Sequence, residues 1–354
     1  MPQVVSFTAP RQVVLADVDP QPLRPGCVRV ETWYSGISAG TELTAYRGSN
    51  PYLNGVWDPA AHVFRPGTPS LGYPVEGWGY SEVGRVVEVA DDVTGWAPGQ
   101  VVYGIWGHRS DAVVPVAQLR GVLPPEHAID GCFARVGAVA LNAVLAADIS
   151  LGDTVAVFGQ GVICLLATRL AVLSGATVVA IDALDERLRR AREMGAAETV
   201  DARVAGGAGP VVRAWGWGGD GVDSVIELSG AVPALHEAIR SVVVDGIVVA
   251  AGFYQGGSQG LRLGEEFHHN RVRIIASQIA GTPLSLGPRW DQARLVRTVM
   301  DQVLRGRLDV TSLITDVVPA REVARVFARL DAGDPRILQV VLRFDAAPVD
   351  GAGA

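Results

Sequence analysis

The chain has 354 residues, of which 49% are hydrophobic and 19% charged, and carries a net charge of −7. That length and balance suit a globular protein of two domains with a large core and exclude an extended disordered chain. The acidic excess has no basic block to offset it, which argues against nucleic-acid binding. Every long apolar run is broken by Gly or charge, which argues against a membrane span.

No signal-peptide pattern opens the sequence, so a soluble, cytoplasmic protein is expected. Cys27, Cys132 and Cys164 are too few and too scattered for a disulfide framework or a four-thiolate zinc site. They read as reduced core residues.

Residues 1–125 are rich in Val, Gly and Pro, with alternating runs at 27–32 and 84–89 and turns at Arg24-Pro25-Gly26 and Ala97-Pro98-Gly99. This predicts an all-β region, a small barrel. Residues 126–147 read as helical. Strands then follow at 154–158, 177–181, 198–200, 224–228, 242–250 and 273–277, with helices at 162–173, 185–194 and from 231 to about 240. Together they predict a six-stranded, doubly wound parallel sheet. Helices at 291–306 and 320–331 and a strand at 339–344 complete the chain. Residues 206–209 and 350–354 read as loop and tail.

The most informative stretch is 154–182. A buried strand turns at Gly159-Gln160-Gly161 into an apolar helix, and a second buried strand closes on Asp182. Gly159 permits the tight turn, and Gly161 lets the backbone approach a pyrophosphate. The helix start at Val162 and Ile163 offers free N–H groups to phosphate. Cys164 stands at the third fingerprint position, where a small residue governs helix–strand packing. A carboxylate at Asp182 accepts hydrogen bonds from ribose hydroxyls and repels a 2′-phosphate, so NAD is the expected cofactor rather than NADP. Arg187, Arg189 and Arg190 follow at helical spacing. Arg187 joins the candidate cofactor contacts, and all three also suit a solvated helix face.

An all-β N-terminal part followed by a doubly wound part and a short α/β tail resembles the medium-chain dehydrogenase/reductase family. Gly79-x-x-x-x-Gly84-x-Val86, Ala97-Pro98-Gly99-Gln100-Val101-Val102 and Gly221-Val222-Asp223-x-Val225-Ile226-Glu227 carry the resemblance, which covers nearly the whole chain. It implies a GroES-like catalytic barrel from 1–125 and 281–354 and a Rossmann NAD-binding domain over 126–280. It also implies a homodimer joined through the last sheet strand. Ser229 and Gly252, after two of the strands, become cofactor contacts. Ser277 and Gln278, at the end of the last strand, come beside the nicotinamide.

Many members of that family hold a catalytic zinc. Here the first ligand loop reads Ser35-Gly36-Ile37-Ser38-Ala39-Gly40-Thr41-Glu42, without a thiol, and Tyr80 stands in place of the metal-binding His. Arg135 stands at the third ligand position. A guanidinium cannot ligate zinc, so no metal is expected. Arg135 could instead polarise a carbonyl, or pair with an acidic neighbour such as Glu42. Thr41 matches the family's proton-relay hydroxyl, and Glu42 is a candidate base or an ion-pair partner. Tyr80 could donate to a substrate oxygen or simply fill the metal's space.

Ser38 is a candidate substrate contact, as are Tyr46, Trp57 and His62 on a polar-aromatic stretch suited to a polyhydroxylated ring; a surface or dimer-contact loop is the other reading of that stretch. His268, His269 and Asn270 precede the last strand. As neighbours on an extended segment, the two histidines would point to opposite faces and could not share a metal. His268 is a candidate base, His269 and Asn270 candidate substrate contacts, and His108 a third possible base.

The resemblance extends to sugar, glycoside and cyclitol dehydrogenases and, through Ile37-Ser38-Ala39-Gly40-Thr41-Glu42, to bacteriochlorophyllide hydroxyethyl dehydrogenases. The expected activity is therefore NAD-dependent, zinc-independent interconversion of a secondary alcohol and a ketone on a small-molecule substrate. Two alternatives stand beside it: reduction of an activated C=C bond, and nucleotide binding without catalysis.

Overall fold

The computed structural model describes residues 1–255 and 257–348. The predicted tail at 350–354 lies outside the described residues. Contacts divide the chain into two compact units, Met1–Arg135 with Asp309–Ala354, and Val136–Leu308.

The first unit is mostly β. Its strands are β1 (Gln3–Ala9), β2 (Gln12–Asp17), β3 (Cys27–Gly36), β4 (Val56–Asp58), β5 (Val63–Arg65), β6 (Val75–Glu76), β7 (Glu82–Val89), β8 (Val101–Gly104), β9 (Asp111–Pro115) and β10 (Leu119–Leu123). Helix α1 (Ala39–Arg47) follows β3 directly. The period-two pattern explains β3. Val28 and Val30 turn into a core with Val86, Val102 and Val114, while Arg29 turns outward to Glu88 and Asp111, each at 3.0 Å.

The second unit begins in helix α2 (Ala134–Ala146) and alternates thereafter: β11 (Thr154–Phe158), α3 (Val162–Leu173), β12 (Thr177–Asp182), α4 (Asp185–Glu193), β13 (Glu198–Asp201), α5 (Ala208–Arg213), β14 (Val222–Glu227), α6 (Val232–Ser241), β15 (Val242–Ala250), β16 (Arg273–Ala276) and α7 (Gln292–Leu304). The six strands are all parallel, in the order β13-β12-β11-β14-β15-β16. Helices cover both faces, which is why the strands read as unbroken apolar runs. Part of the loop expected at 206–209 is instead the start of α5.

The chain then returns to the first unit with β17 (Ile314–Pro319), α8 (Val323–Asp331) and β18 (Gln339–Arg343). Strand β18 pairs with β3, extending the barrel sheet to β10-β8-β7-β3-β18-β17, with β9 also on β3.

The units divide at 135 and 309, where the sequence suggested 125 and 281. Residues 281–308 group with the parallel sheet because α7 closes onto α2 at Gly137, where a Cβ would lie 2.5 Å from Val299. Among the described residues one helical run, Pro125–Ala146, is long and apolar enough to cross a membrane. Of its apolar window 78% is buried inside the protein, the pattern of a core helix.

Candidate functional site

In the parallel-sheet unit the expected cofactor residues gather at the C-terminal ends of the strands, where ligands of such sheets bind. Gly159 turns with φ +83°, and a Cβ there would meet Ser229 at 2.9 Å and the Cys164 sulfur at 3.3 Å. Cys164 therefore packs beneath the turn, and burial raises its thiol to about 12. Gly161 is the N-cap of α3, and a Cβ at that position would meet no protein atom within 4 Å. The space above it is open, as close approach of a pyrophosphate requires. The first-turn N–H groups at Val162 and Ile163 have no carbonyl one turn back within the helix to bond.

Asp182 is buried at the end of β12. Its Oδ2 accepts the Gln160 N–H at 2.6 Å and its Oδ1 the Leu184 N–H at 2.9 Å. The lone pairs that remain can accept ribose hydroxyls. Arg187 stands 3.9 Å from Asp182, half-buried, and its Nε has no hydrogen-bond partner among the described residues. Arg189, exposed, and Arg190, half-buried, pair with Glu186. The three arginines thus divide by partner: Arg187 stands beside Asp182, and the other two pair with Glu186.

Gln160 departs from expectation. Its side chain is fully buried, donating to the Val157 carbonyl at 3.0 Å and accepting from Thr168 at 3.1 Å. Only its backbone is available to a ligand.

Two residues that sequence reasoning passed over complete this end of the sheet. Glu227 ends β14, and its carboxylate accepts from the Ser229 N–H and hydroxyl, the Gly230 N–H and the Tyr254 hydroxyl. Its carbonyl accepts from Ala251 and Gly252, so it ties together the loops that carry Ser229 and Gly252. Burial pushes this carboxyl above its ordinary range. An acidic residue closing the apolar run Val225-Ile226 was the available signal. Asn142 on α2 donates to the Ser277 hydroxyl at 3.2 Å and the Gly281 carbonyl at 3.0 Å, beside the end of β16. Gln278 accepts from the Ala280 N–H and shapes the same turn.

His268, His269 and Asn270 lie elsewhere. They sit in an exposed helical turn before β16, with their rings edge-to-face at 5.5 Å, not on an extended segment. Because β16 is parallel to its neighbours, that turn is at the opposite end of the sheet from Gly159, Asp182 and Ser229. The site assignments to these three residues are corrected accordingly.

The barrel unit holds the second constellation, at the start of α1. Ser38 is the N-cap residue of that helix, yet its hydroxyl makes no capping bond. It is bonded instead to the Tyr80 hydroxyl, which also donates to Thr41 Oγ1 at 3.2 Å. Forgoing a serine cap costs about 1 kcal/mol. Glu42 lessens that cost by reaching back to accept the Ser38 N–H at 2.7 Å.

Burial holds the Tyr80 phenol above its ordinary range. Its hydroxyl partners and Arg135 pull the other way. Burial also lowers the Arg135 guanidinium. The second oxygen of Glu42 bonds His108 Nε2 at 2.7 Å, and both groups are fully buried. His108 therefore cannot act as an exposed base.

The remaining substrate candidates separate. Tyr46 is buried against Phe7 and Phe327 and belongs to the barrel core. Trp57 and His62 meet on the β4–β5 hairpin with Phe64, forming a partly exposed aromatic cluster.

At the positions corresponding to the family's zinc ligands, Ser38, Tyr80 and Arg135 offer two hydroxyls and a guanidinium. Zinc requires thiolate, imidazole or carboxylate donors, so this set does not fit the ion. Among the described residues no group of three or more His, Cys, Asp or Glu is arranged to hold a metal.

A doubly wound sheet with a Gly-x-Gly turn and a mostly β barrel define a dinucleotide-dependent dehydrogenase architecture. The family model for zinc-binding dehydrogenases matches residues 162–290. D-guloside 3-dehydrogenase of Shigella flexneri is 28% identical over 324 residues, 88% of this chain and 91% of that one. The 2-desacetyl-2-hydroxyethyl bacteriochlorophyllide A dehydrogenase of Cereibacter sphaeroides is 25% identical over 97% of this chain and 98% of its own. A Sinorhizobium meliloti structure described as a zinc-binding dehydrogenase, bound to NADP, superposes with a TM-score of 0.76 at 25% identity, covering 97% of this chain and 99% of that one. Over nearly its whole length the chain is thus similar to zinc-binding, alcohol dehydrogenase-like members of the medium-chain dehydrogenase/reductase family.

Proposed function

We propose that the protein is an NAD(H)-dependent, zinc-independent oxidoreductase that interconverts a secondary alcohol and a ketone on a sugar, glycoside or cyclitol. The observation that carries this reading is the Ser38 hydroxyl, turned away from its own helix to join Tyr80 and Thr41. Three hydroxyls in contact can hold and move a proton at a substrate oxygen, the task left when no metal polarises it. A nicotinamide cofactor held at the Gly159–Gly161 turn would supply or accept the hydride.

Tyr80, kept protonated by burial, donates to the carbonyl oxygen in the reducing direction. In the oxidising direction it takes up the substrate's proton as its own passes to Thr41, whose displaced hydroxyl proton leaves to solvent. Arg135, close enough to lower the Tyr80 pKa, stabilises negative charge on that oxygen. The likeness to a guloside dehydrogenase supports a polyhydroxylated substrate. The exposed Trp57–Phe64 rings are of the kind that stack on one.

Asp182 supports NAD. Arg187 beside it favours a second reading, in which NADP is also accepted, and one similar structure is bound to NADP. A cytoplasmic homodimer joined along the β16 edge completes the proposal; a monomeric mass in solution would contradict it.

The test is an absorbance assay at the nicotinamide band with chelator-treated protein. Sugars, glycosides and cyclitols are offered with NAD⁺ or NADP⁺, and enones and quinones with the reduced cofactors. Turnover of a polyol with NAD⁺ that survives chelation is the expected result. Turnover of enones alone, or loss of activity with the metal, would overturn it.

A further inference from the structure

Behind the Ser38–Tyr80–Thr41 cluster lies a second polar group that the proposed chemistry does not touch. Ser35, Glu42, Glu82 and His108 have no exposed surface. The Ser35 hydroxyl lies 2.5 Å from His108 Nδ1 and donates to Glu82 Oε1 at 3.2 Å, while His108 Nε2 lies 2.7 Å from Glu42 Oε2. These are the members of a Ser–His–acid triad. No ester or amide can reach Ser35, however, and its proton is committed to Glu82, so hydrolysis is not what the arrangement serves.

Burying three ionisable groups is costly unless each is paired, and here each is. Glu82 also accepts the Ser81 N–H at 3.0 Å and the Trp106 N–H at 2.7 Å. With the Ser35 proton on Glu82, the Ser35 oxygen is left to accept from His108 Nδ1. With Glu42 as the acceptor on the other side, both ring nitrogens of His108 are donors.

The frame reaches the hydroxyl cluster at two points. Glu42 Oε1 holds the Ser38 N–H at 2.7 Å. Gly79, next to Tyr80, lies so close over the imidazole that a Cβ there would be 2.8 Å from the ring.

We propose that His108 is a positioning residue: donating from both ring nitrogens, it clamps Glu42 between itself and the Ser38 backbone, and so fixes the hydroxyls that handle the substrate oxygen. This rests on the reading of Ser38, Thr41 and Tyr80 given above. A metal holds its ligands by coordination, whereas three hydroxyls on rotatable bonds need an external frame to stay within about 0.5 Å of the productive geometry.

The test has two arms, both on the full chain. Nitrogen-15 NMR of histidine-labelled protein at about pH 7.5, above the ordinary histidine value, is expected to find one imidazole with both nitrogens protonated. If no histidine is doubly protonated, the proposal falls, and this arm needs neither substrate nor variant. In the second arm, His108→Gln is expected to lower kcat about 10²-fold, the cost of a small misplacement at a reacting centre. Its NADH affinity, read by fluorescence, should not change. Glu82→Gln, which keeps an acceptor for Ser35, is expected to lose less and remains usable if His108→Gln does not fold. Folded variants that both keep wild-type kcat would overturn the proposal. If the wild-type protein turns over nothing on the panel, the functional reading fails instead, and the NMR arm still decides the frame.

Discussion

Tyr80 illustrates how a side chain can stand out by its position in the sequence and still need a structure for its role. The sequence leaves open whether it fills a vacated metal site or serves the substrate, and its bonds to Ser38 and Thr41 favour service. Tyr80→Phe is expected to lower kcat by roughly 10²–10⁴-fold, the range for loss of a general acid, without changing cofactor affinity. Since burial raises its pKa, the phenol stays protonated past the ordinary value of 10.0. Ketone reduction should therefore be level from about pH 6 to about pH 9 and fall only above about pH 10, which a pH–rate profile would register.

The proposed preference for NAD rests on Asp182. Asp182→Ser keeps an acceptor for one of the two N–H groups now bonded to the carboxylate and leaves Arg187 facing the vacated position. The ratio of kcat/KM for NADP⁺ over NAD⁺ is expected to rise roughly tenfold, about 1.4 kcal/mol. An unchanged ratio would mean that Asp182 does not face the ribose. The side chains of His108 and Gln160 are both buried, and side-chain direction is not written in residue type.

Among elements, the long apolar runs were legible and the short polar ones were not. All six strands of the parallel sheet were anticipated, because burial on both faces leaves an uninterrupted signal. The Ser35–Glu42 stretch reads as a loop, yet helix α1 starts within it. Its sequence, Ala-Gly-Thr-Glu-Leu-Thr-Ala-Tyr-Arg, has no clear apolar face, and it buries Glu42 and Thr44 alongside Leu43 and Tyr46. What fixes it is the back-reaching Glu42 and Gly48 in the left-handed region at φ +75°, neither of them a periodic signal. The histidine pair precedes the last strand, as its sequence position implies, and a segment that precedes a parallel strand lies opposite the ligand-binding edge.

Gly84 belongs to the Gly79-x-x-x-x-Gly84-x-Val86 pattern, and the structure gives it a mechanical reason. Strand β3 shifts register between Thr32 and Tyr34 opposite β7, and a Cβ on Gly84 would lie 2.3 Å from the Glu31 carbonyl oxygen. Backbone cannot yield as a side-chain tip can. Gly84→Ala should gain about 0.5–1 kcal/mol from reduced chain entropy and lose about 1–3 kcal/mol to overpacking. A net destabilisation is expected, visible as a lower urea midpoint with an unchanged slope. A midpoint at or above wild type would show that the bulge can relax.

At the scale of the whole molecule, all thirty basic residues are arginine, and the chain contains no lysine. Positive side-chain charge therefore persists through the alkaline range in which most proteins lose it. The groups that titrate there are thiols and phenols, and burial raises several of them: Cys132, Cys164 at about 12, Tyr73 and Tyr80, together with Tyr254. The direction of the effect follows from linkage. An acid whose folded pKa lies above its unfolded value keeps its proton in the native state while the unfolded chain releases it. Stability is then intact below the unfolded value and declines as pH rises towards the folded one.

For Cys164 the window runs from its ordinary value of 9.0 to about 12, at about 1.4 kcal/mol per pH unit. The melting temperature is expected to be level up to about pH 8 and to fall steadily above about pH 9. Cys164→Ala should flatten that slope, because the site beneath the Gly159 turn would no longer hold a group that the unfolded state prefers to ionise. A wild-type midpoint that stays constant to pH ~11 would mean that the buried thiols ionise as readily in the fold as outside it.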